Sequence, residues 1–192
     1  MKKIKIIALV GKAGSGKDYW LRYICENNED VHEIISCTTR PPRPNELDSI
    51  NYHFLTKEEF LKEKYVERCE FNNWYYGTRE KDLSKDKMNL GVFNLSGIEA
   101  LLKNPEIDLF VVYLKTEDKL RLIRQLQRDS SDIQEIFRRY QADEKDFDNI
   151  RIDNIKKKVP VYYVINNSNG DYDDNEFIRS DLDEIIEEVK SA

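Results

Sequence analysis

The 192-residue chain is poor in cysteine: it has only Cys25, Cys37 and Cys69, widely spaced and without a C-x-x-C pair. An odd, scattered set points to neither a disulfide framework nor a zinc site and fits a reducing cytoplasm. The sequence also lacks any apolar run near the roughly 20 residues that a membrane-spanning helix needs, so no membrane partner is expected. Its opening, MKKIKIIALV, joins a basic start to a short apolar run in the manner of a signal peptide. The run passes into a glycine-rich loop with no small-residue cleavage site, and reads as a strand. A basic excess is missing too: 31 Lys and Arg against 37 Asp and Glu give a net charge of -6. Such a surface repels phosphate backbones on average, so no nucleic-acid partner is expected and any phosphate chemistry must be local. There is no internal repeat or low-complexity linker, and 40% hydrophobic content over this length predicts one globular unit, residues 1–192.

What the chain does have is a series of apolar, β-rich runs: IKIIALV, VHEIISC, GVFNL, LFVVYL and VYYVI. Their hydrophobicity is continuous rather than alternating, as expected of parallel strands covered by helices on both faces. Helix starts are predicted at Thr56, Ser96 and Ser131, where TKEE, SGIE and SDIQ fit a capping box. Asn104-Pro105 should end the helix that begins near Ser96. The predicted order is strand, loop, helix, strand, an excursion from about Thr38 to Lys87, then strand, helix, strand, two helical segments, strand and helix. This is an α/β chain with an insertion.

The first strand runs into GKAGSGKD, where Gly11, four residues and then Gly16-Lys17 satisfy G-x-x-x-x-G-K. Asp18 stands where that pattern ends in a hydroxyl residue. The following KDYWLRYICENN puts Trp20, Leu21, Ile24 and Cys25 on one helix face. Strand, loop and helix in that order let the backbone of Gly11, Ala13, Gly14, Ser15 and Gly16, with the helix dipole, cradle a polyphosphate. Lys17 adds a point charge.

The excursion is more specific still. In SCTTRPPRPNELDSINYHFLTKEEF, Arg40 and Arg43 lie in a proline-stiffened loop, where planar guanidinium groups can grip phosphate oxygens bidentately. A solvated loop or a ligand for an SH3-type partner is the blander reading. With the later YVERCEFNNWYYGT, the T-T-R-x-P-R and Y-Y-G-T elements resemble the nucleoside-monophosphate-binding region of guanylate kinases. The resemblance extends from Ile4 to about Asn167. It implies a P-loop NTPase fold with a five-stranded parallel sheet flanked by helices. The core would be about 1–37 and 88–192, the inserted monophosphate-binding region about 38–87 and a helical lid about 124–142. It also implies a cytoplasmic kinase that passes the ATP γ-phosphoryl group to GMP or dGMP with Mg2+. By position, Ser36, Arg40, Arg43, Tyr52 and Tyr76 match the residues that hold the monophosphate, and Glu67 and Thr78 those that read guanine. Glu67 can accept from the N1–H and 2-amino edge, a pattern that adenine cannot donate. In the stretch that resembles the lid, EDKLRLIRQLQRDSSDIQEIFRRYQAD, Arg124, Arg128 and Arg139 fall at the arginine positions, with Arg138 an unmatched extra. Lys17, Arg128 and Arg139 are then the catalytic set, since phosphoryl transfer needs charge stabilisation more than covalent help. Asn167 matches an asparagine near the adenine.

The pattern breaks on the strand GVFNLSG. Aligning on Gly97 puts Val92 and Asn94 where the family usually has aspartates. Asn94 keeps a carbonyl for the guanine 2-amino group, without charge; Val92 offers nothing polar. Asp18 is the candidate metal ligand, holding Mg2+ directly or through its water shell in place of the lost strand carboxylate. Its alternative role is to stabilise the helix N-terminus, worth roughly 0.3–1 kcal/mol. These departures leave open a ribose 1,5-bisphosphate phosphokinase-like enzyme, a group that shares the loop aspartate and the strand asparagine. They also leave open a non-catalytic guanylate-kinase-like interaction module, although such modules typically lose the phosphate loop.

Overall fold

The computed structural model describes residues 3–43, 46–71, 73–128, 133–168 and 172–192. β1 (Ile4–Val10) leads through the glycine-rich loop into α1 (Lys17–Asn27) and β2 (Val31–Glu33). The excursion then forms β3 (Cys37–Thr38), β4 (His53–Phe54), α2 (Lys57–Lys62), β5 (Tyr65–Phe71) and β6 (Trp74–Arg79). The chain continues through β7 (Met88–Val92), α3 (Leu95–Leu101), β8 (Ile107–Lys115), α4 (Asp118–Arg128), α5 (Ile133–Asp146), α6 (Asn149–Lys156), β9 (Val161–Ile165) and α7 (Tyr172–Ser191).

The main sheet has five strands in the order β2-β7-β1-β8-β9, and every pairing in it is parallel. Ile7 and Leu9 of β1 pack into one core with Trp20 and Ile24 of α1 and Leu182 and Ile186 of α7. Ile6, Ala8 and Val10 point the opposite way, to Leu95 and Ile98 of α3 and Ile152 and Ile155 of α6. Two buried faces account for the unbroken apolar runs. The excursion makes a second sheet, β4-β3-β6-β5, antiparallel except at the β3–β4 pair. The three cysteines are free, and no helix among the described residues is long and apolar enough to cross a membrane.

Local chemistry corrects several sequence-based expectations. VHEIISC is not one strand, because Val31–Glu33 pairs with β7 while Cys37–Thr38 joins the second sheet. The strand expected at GVFNL begins earlier, at Met88. Thr56 forms the expected capping box with Glu59. Ser96 does not cap α3: Asn94 is the N-cap, its Oδ1 accepting from Gly97 N at 2.7 Å. Ser96 Oγ instead accepts from Arg151, and Glu99, the other half of the expected box, also pairs with Arg151. The helix stops at Leu101, ahead of Asn104-Pro105. Ser131 lies outside the described residues.

Candidate active site

The loop after β1 needs two left-handed backbone positions, Gly14 (φ 80°) and Gly16 (φ 86°). A Cβ at Gly14 would stand 2.6 Å from the Arg121 carbonyl oxygen, and one at Gly16 2.7 Å from Asn166 Nδ2. Only glycine meets both demands, conformational and steric. Lys17 Nζ donates back to the loop carbonyls of Gly11 (2.7 Å) and Lys12 (3.1 Å). Burial lowers its pKa, and the neighbouring Asp18 and Asp143 carboxylates oppose that shift. The loop is therefore a concave cradle of amides with its cation parked on its own carbonyls, ready to turn toward an anion.

Side chains from elsewhere fix that loop. Asn166 Nδ2 donates to Ser15 O at 2.7 Å from the end of β9. Arg124 gives its guanidinium to the carbonyls of Gly14, Asn166 and Ser168, so it clamps the loop against the end of β9. Ala13 is held at both ends of its own residue: its N–H donates to Asp143 Oδ2 at 2.6 Å, and its carbonyl accepts from Arg121 and Gln125. Arg121 is wholly buried.

A cleft of about 1030 Å³ runs from this loop to the second sheet. It is at the upper end for a single small-ligand site, and is large enough to hold two substrates. Its far end is lined by Ser36, Arg40, Arg43, Tyr52 and Tyr76. Arg40 lies 5.5 Å from the Tyr52 ring centroid and is paired to Glu46 at 2.9 Å. Glu46 also accepts from Arg43 N at 2.7 Å and lies 3.5 Å from the Arg43 guanidinium, so one carboxylate sets both arginines. Burial lowers the Arg43 pKa, and the nearby Arg40, Arg139 and Arg128 push the same way. Four cations thus converge, a field that favours an added dianion. Tyr52 is held as a neutral phenol chiefly by burial, with Asp18 the next cause.

Deeper in the same cleft, Glu67 is 6% exposed. Its Oε1 accepts from Thr78 Oγ1 at 3.0 Å, while Oε2 has no hydrogen-bond partner. Burial pushes its pKa up to about 7. A buried carboxylate oxygen without a partner, on a residue that lines a cleft, is a site for a donor that the protein does not supply.

The structure brings nearly all the sequence-predicted residues together. Gly11, Ala13, Gly14, Gly16, Lys17, Asp18, Arg124, Arg128 and Arg139 line the cleft together with those five far-end residues, Glu67, Val92 and Asn94. Ser15 is buried in the loop, and Thr78 lies behind Glu67. Asn94 differs from expectation in detail, because its carbonyl oxygen is spent on Gly97 N and on the Cys69 thiol at 3.5 Å. The amide nitrogen is what remains to it. Asn167 is not brought into the cleft: its side chain bonds to Glu117 N and Oε1, and the adjacent Asn166 reaches the loop. Glu46, Arg121, Glu135 and Asp143 carried no signal of their own in the sequence. Arg139 and Arg138 bond to Glu135 at 2.8 and 2.6 Å, and these bonds lower the Glu135 pKa to about 2.

Among the described residues no group of three or more His, Cys, Asp or Glu could enclose a metal ion. Mg2+ in phosphoryl-transfer sites commonly takes one or two carboxylates and completes its shell with water and substrate phosphates, and Asp18 in the cleft fits that mode.

A phosphate loop on a parallel α/β sheet, an inserted second sheet bearing an arginine pair, and a pair of arginine-rich helices define a P-loop phosphotransferase fold. The guanylate kinase family model matches residues 3–158, and the chain belongs to that family. It is 31% identical to the guanylate kinase of Helicobacter hepaticus over 152 residues, covering 74% of this chain and 76% of that one. It is 39% identical to the guanylate kinase of Clostridium perfringens strain 13 over 84 residues, and there the chain spans only 39% of the relative's length. The crystal structure of guanylate kinase from Anaplasma phagocytophilum superposes with a TM-score of 0.60 over 98% of this chain and 87% of that one, at 17% identity, a likeness of fold.

Proposed function

We propose that the protein is a nucleoside monophosphate kinase that transfers the ATP γ-phosphoryl group to GMP or dGMP. The observation that carries this reading is Glu67: a carboxylate buried in the cleft with one oxygen on Thr78 and the other unpartnered. Guanine supplies the N1–H and 2-amino donors that would satisfy it, whereas adenine lacks that edge. A ribose bisphosphate has no base, and would leave this buried acceptor unpaired at a cost of about 1–3 kcal/mol.

In this reading ATP phosphates lie on the loop from Gly11 to Lys17, which Arg124 clamps against the end of β9. Ser36, Arg40, Arg43, Tyr52 and Tyr76 hold the acceptor phosphate. A GMP phosphate oxygen attacks the γ-phosphorus in line as the bond to ADP breaks, and Lys17, Arg128 and Arg139 stabilise the charge on the oxygens in flight. Asp18, with the substrate phosphates, would hold Mg2+, which would supply charge neutralisation there. The unit folds as one domain with the insertion near 38–87 and the lid near 124–142.

Nucleotide-dependent thermal shift tests the reading at the level of binding. ATP and GMP should each raise Tm, and their effects should combine. Stabilisation by neither nucleotide would favour an interaction module and overturn the proposal.

A further inference from the structure

Asp143 stands where a carboxylate is least expected. It lines the cleft, is buried, and accepts from Ala13 N in the phosphate loop at 2.6 Å. A carboxylate beside a polyphosphate site is unfavourable unless its charge is matched. Here Arg121 matches it: the guanidinium is wholly buried, 3.3 Å from Asp143, with Asp118 at 2.6 Å and Glu144 at 3.4 Å around it. The same guanidinium reaches the Ala13 carbonyl at 3.3 Å. One residue of the loop is therefore gripped from both sides, its N–H by α5 and its C=O by α4. A second tie runs alongside, from Lys12 to Glu144.

Helix geometry gives the grip a consequence. Residues four apart share a helix face, so Arg139 and Asp143 are neighbours on α5, and both line the cleft. One end of this face touches the donor loop. The other presents its arginine near Arg43, whose pKa Arg139 depresses.

We infer that Asp143 is a positioning residue that, paired with Arg121, sets the register of α5 on the phosphate loop and so fixes Arg139 between donor and acceptor phosphates. This rests on the kinase reading above. Losing the tie should misplace Arg139 in the transition state and leave the acceptor clamp intact, because Arg40, Arg43 and Glu46 belong to another element.

The test compares wild type, Asp143→Ala and Asp143→Asn with Asp118→Asn, which takes the charge from a different partner of Arg121 and does not touch the loop. Two quantities are read: hydrogen exchange at the Ala13 amide in nucleotide-free protein, and steady-state kcat and KM with ATP and GMP. In Asp143→Ala the Ala13 amide should exchange at least about tenfold faster. Its kcat should fall at least about tenfold with KM for GMP within about twofold. Asp143→Asn keeps an acceptor for Ala13 N–H, and should recover most of the exchange protection and part of kcat. Asp118→Asn should stay within about twofold of wild type in both. Wild-type values in both Asp143 variants, equal losses in Asp118→Asn, or an Ala13 amide already unprotected in the wild type would each overturn the inference. If the wild type does not turn over GMP, the kinase reading fails, while Ala13 exchange in the variants still decides whether Asp143 holds the loop.

Discussion

Glu67 and Thr78 face each other across the β5–β6 ladder, and the Thr78 hydroxyl donates to Glu67 Oε1 at 3.0 Å. That bond occupies one carboxylate oxygen and leaves Oε2 without a hydrogen-bond partner. Burial has raised the carboxyl pKa to about 7, so below that pH the empty site carries a proton that guanine recognition must expel. kcat/KM for GMP should therefore decline by up to roughly tenfold per pH unit as pH falls below about 7. In Glu67→Gln this acid limb should disappear and guanine selectivity should weaken, since the amide replaces one acceptor with a donor. The same raised pKa works against the fold at higher pH: the stability gained by protonating Glu67 is present at acid pH and is lost as pH rises through about 7. A pH profile that is flat from 6 to 8 in the wild type would contradict the role.

Arg43 carries the clamp prediction. Its backbone N–H and side chain are both tied to Glu46, which holds Arg40 as well, so the fork is set before any ligand arrives. Arg43→Lys keeps the charge and loses the planar fork, and should raise KM for GMP by roughly tenfold to a hundredfold. Tm should move little, as for most partly exposed loop substitutions. Unchanged KM and kcat would return Arg43 to the status of a surface charge.

The lid should act on rate. Arg139 is held by Glu135 on the same helix at 2.8 Å and is near the acceptor arginines. Arg139→Ala should lower kcat by about a hundredfold or more, with Kd for ATP changed only about threefold, because charge on the migrating group develops after binding. Single-turnover rates and calorimetric ATP binding separate the two effects; weakened ATP binding with intact kcat would reverse the assignment.

Asp18 tests whether the metal ligand has moved from strand to helix start. It lines the cleft next to Lys17, and Val92, the strand position with no polar group, lines the same cleft. Asp18→Asn should raise the Mg2+ concentration needed for half-maximal rate by about tenfold and lower turnover at saturating Mg2+. An unchanged Mg2+ dependence would leave Asp18 as a helix-start residue, with an effect of roughly 0.3–1 kcal/mol on stability alone.

How much of this was legible in the sequence follows from the range of the interactions. The phosphate loop and the two motifs of the insertion are local patterns, and their residues meet as expected because strand, loop and helix follow one another directly. Glu46 was missed although it lies three residues from Arg43, since a glutamate in a charged loop carries no distinguishing pattern. Arg121 and Asp143 were illegible for a stronger reason. On paper they are two charges on amphipathic helices, and only tertiary packing brings both to Ala13, more than a hundred residues earlier. The expected cap at Ser96 failed because the helix starts two residues earlier than that cap requires: Asn94 is the N-cap, accepting from Gly97 N, and Ser96 falls inside the first turn. The Asn166 and Asn167 side chains differ in direction, which the NN dipeptide does not encode.

The most direct measurement is ADP release by the wild-type protein with saturating ATP and Mg2+ against GMP, dGMP, AMP, CMP, UMP and ribose 1,5-bisphosphate. A site built around the buried Glu67 acceptor should favour GMP or dGMP over AMP by at least about a hundredfold in kcat/KM, with ribose 1,5-bisphosphate no better than AMP. Equal turnover of AMP, or preference for ribose 1,5-bisphosphate, would contradict guanine recognition by this cleft.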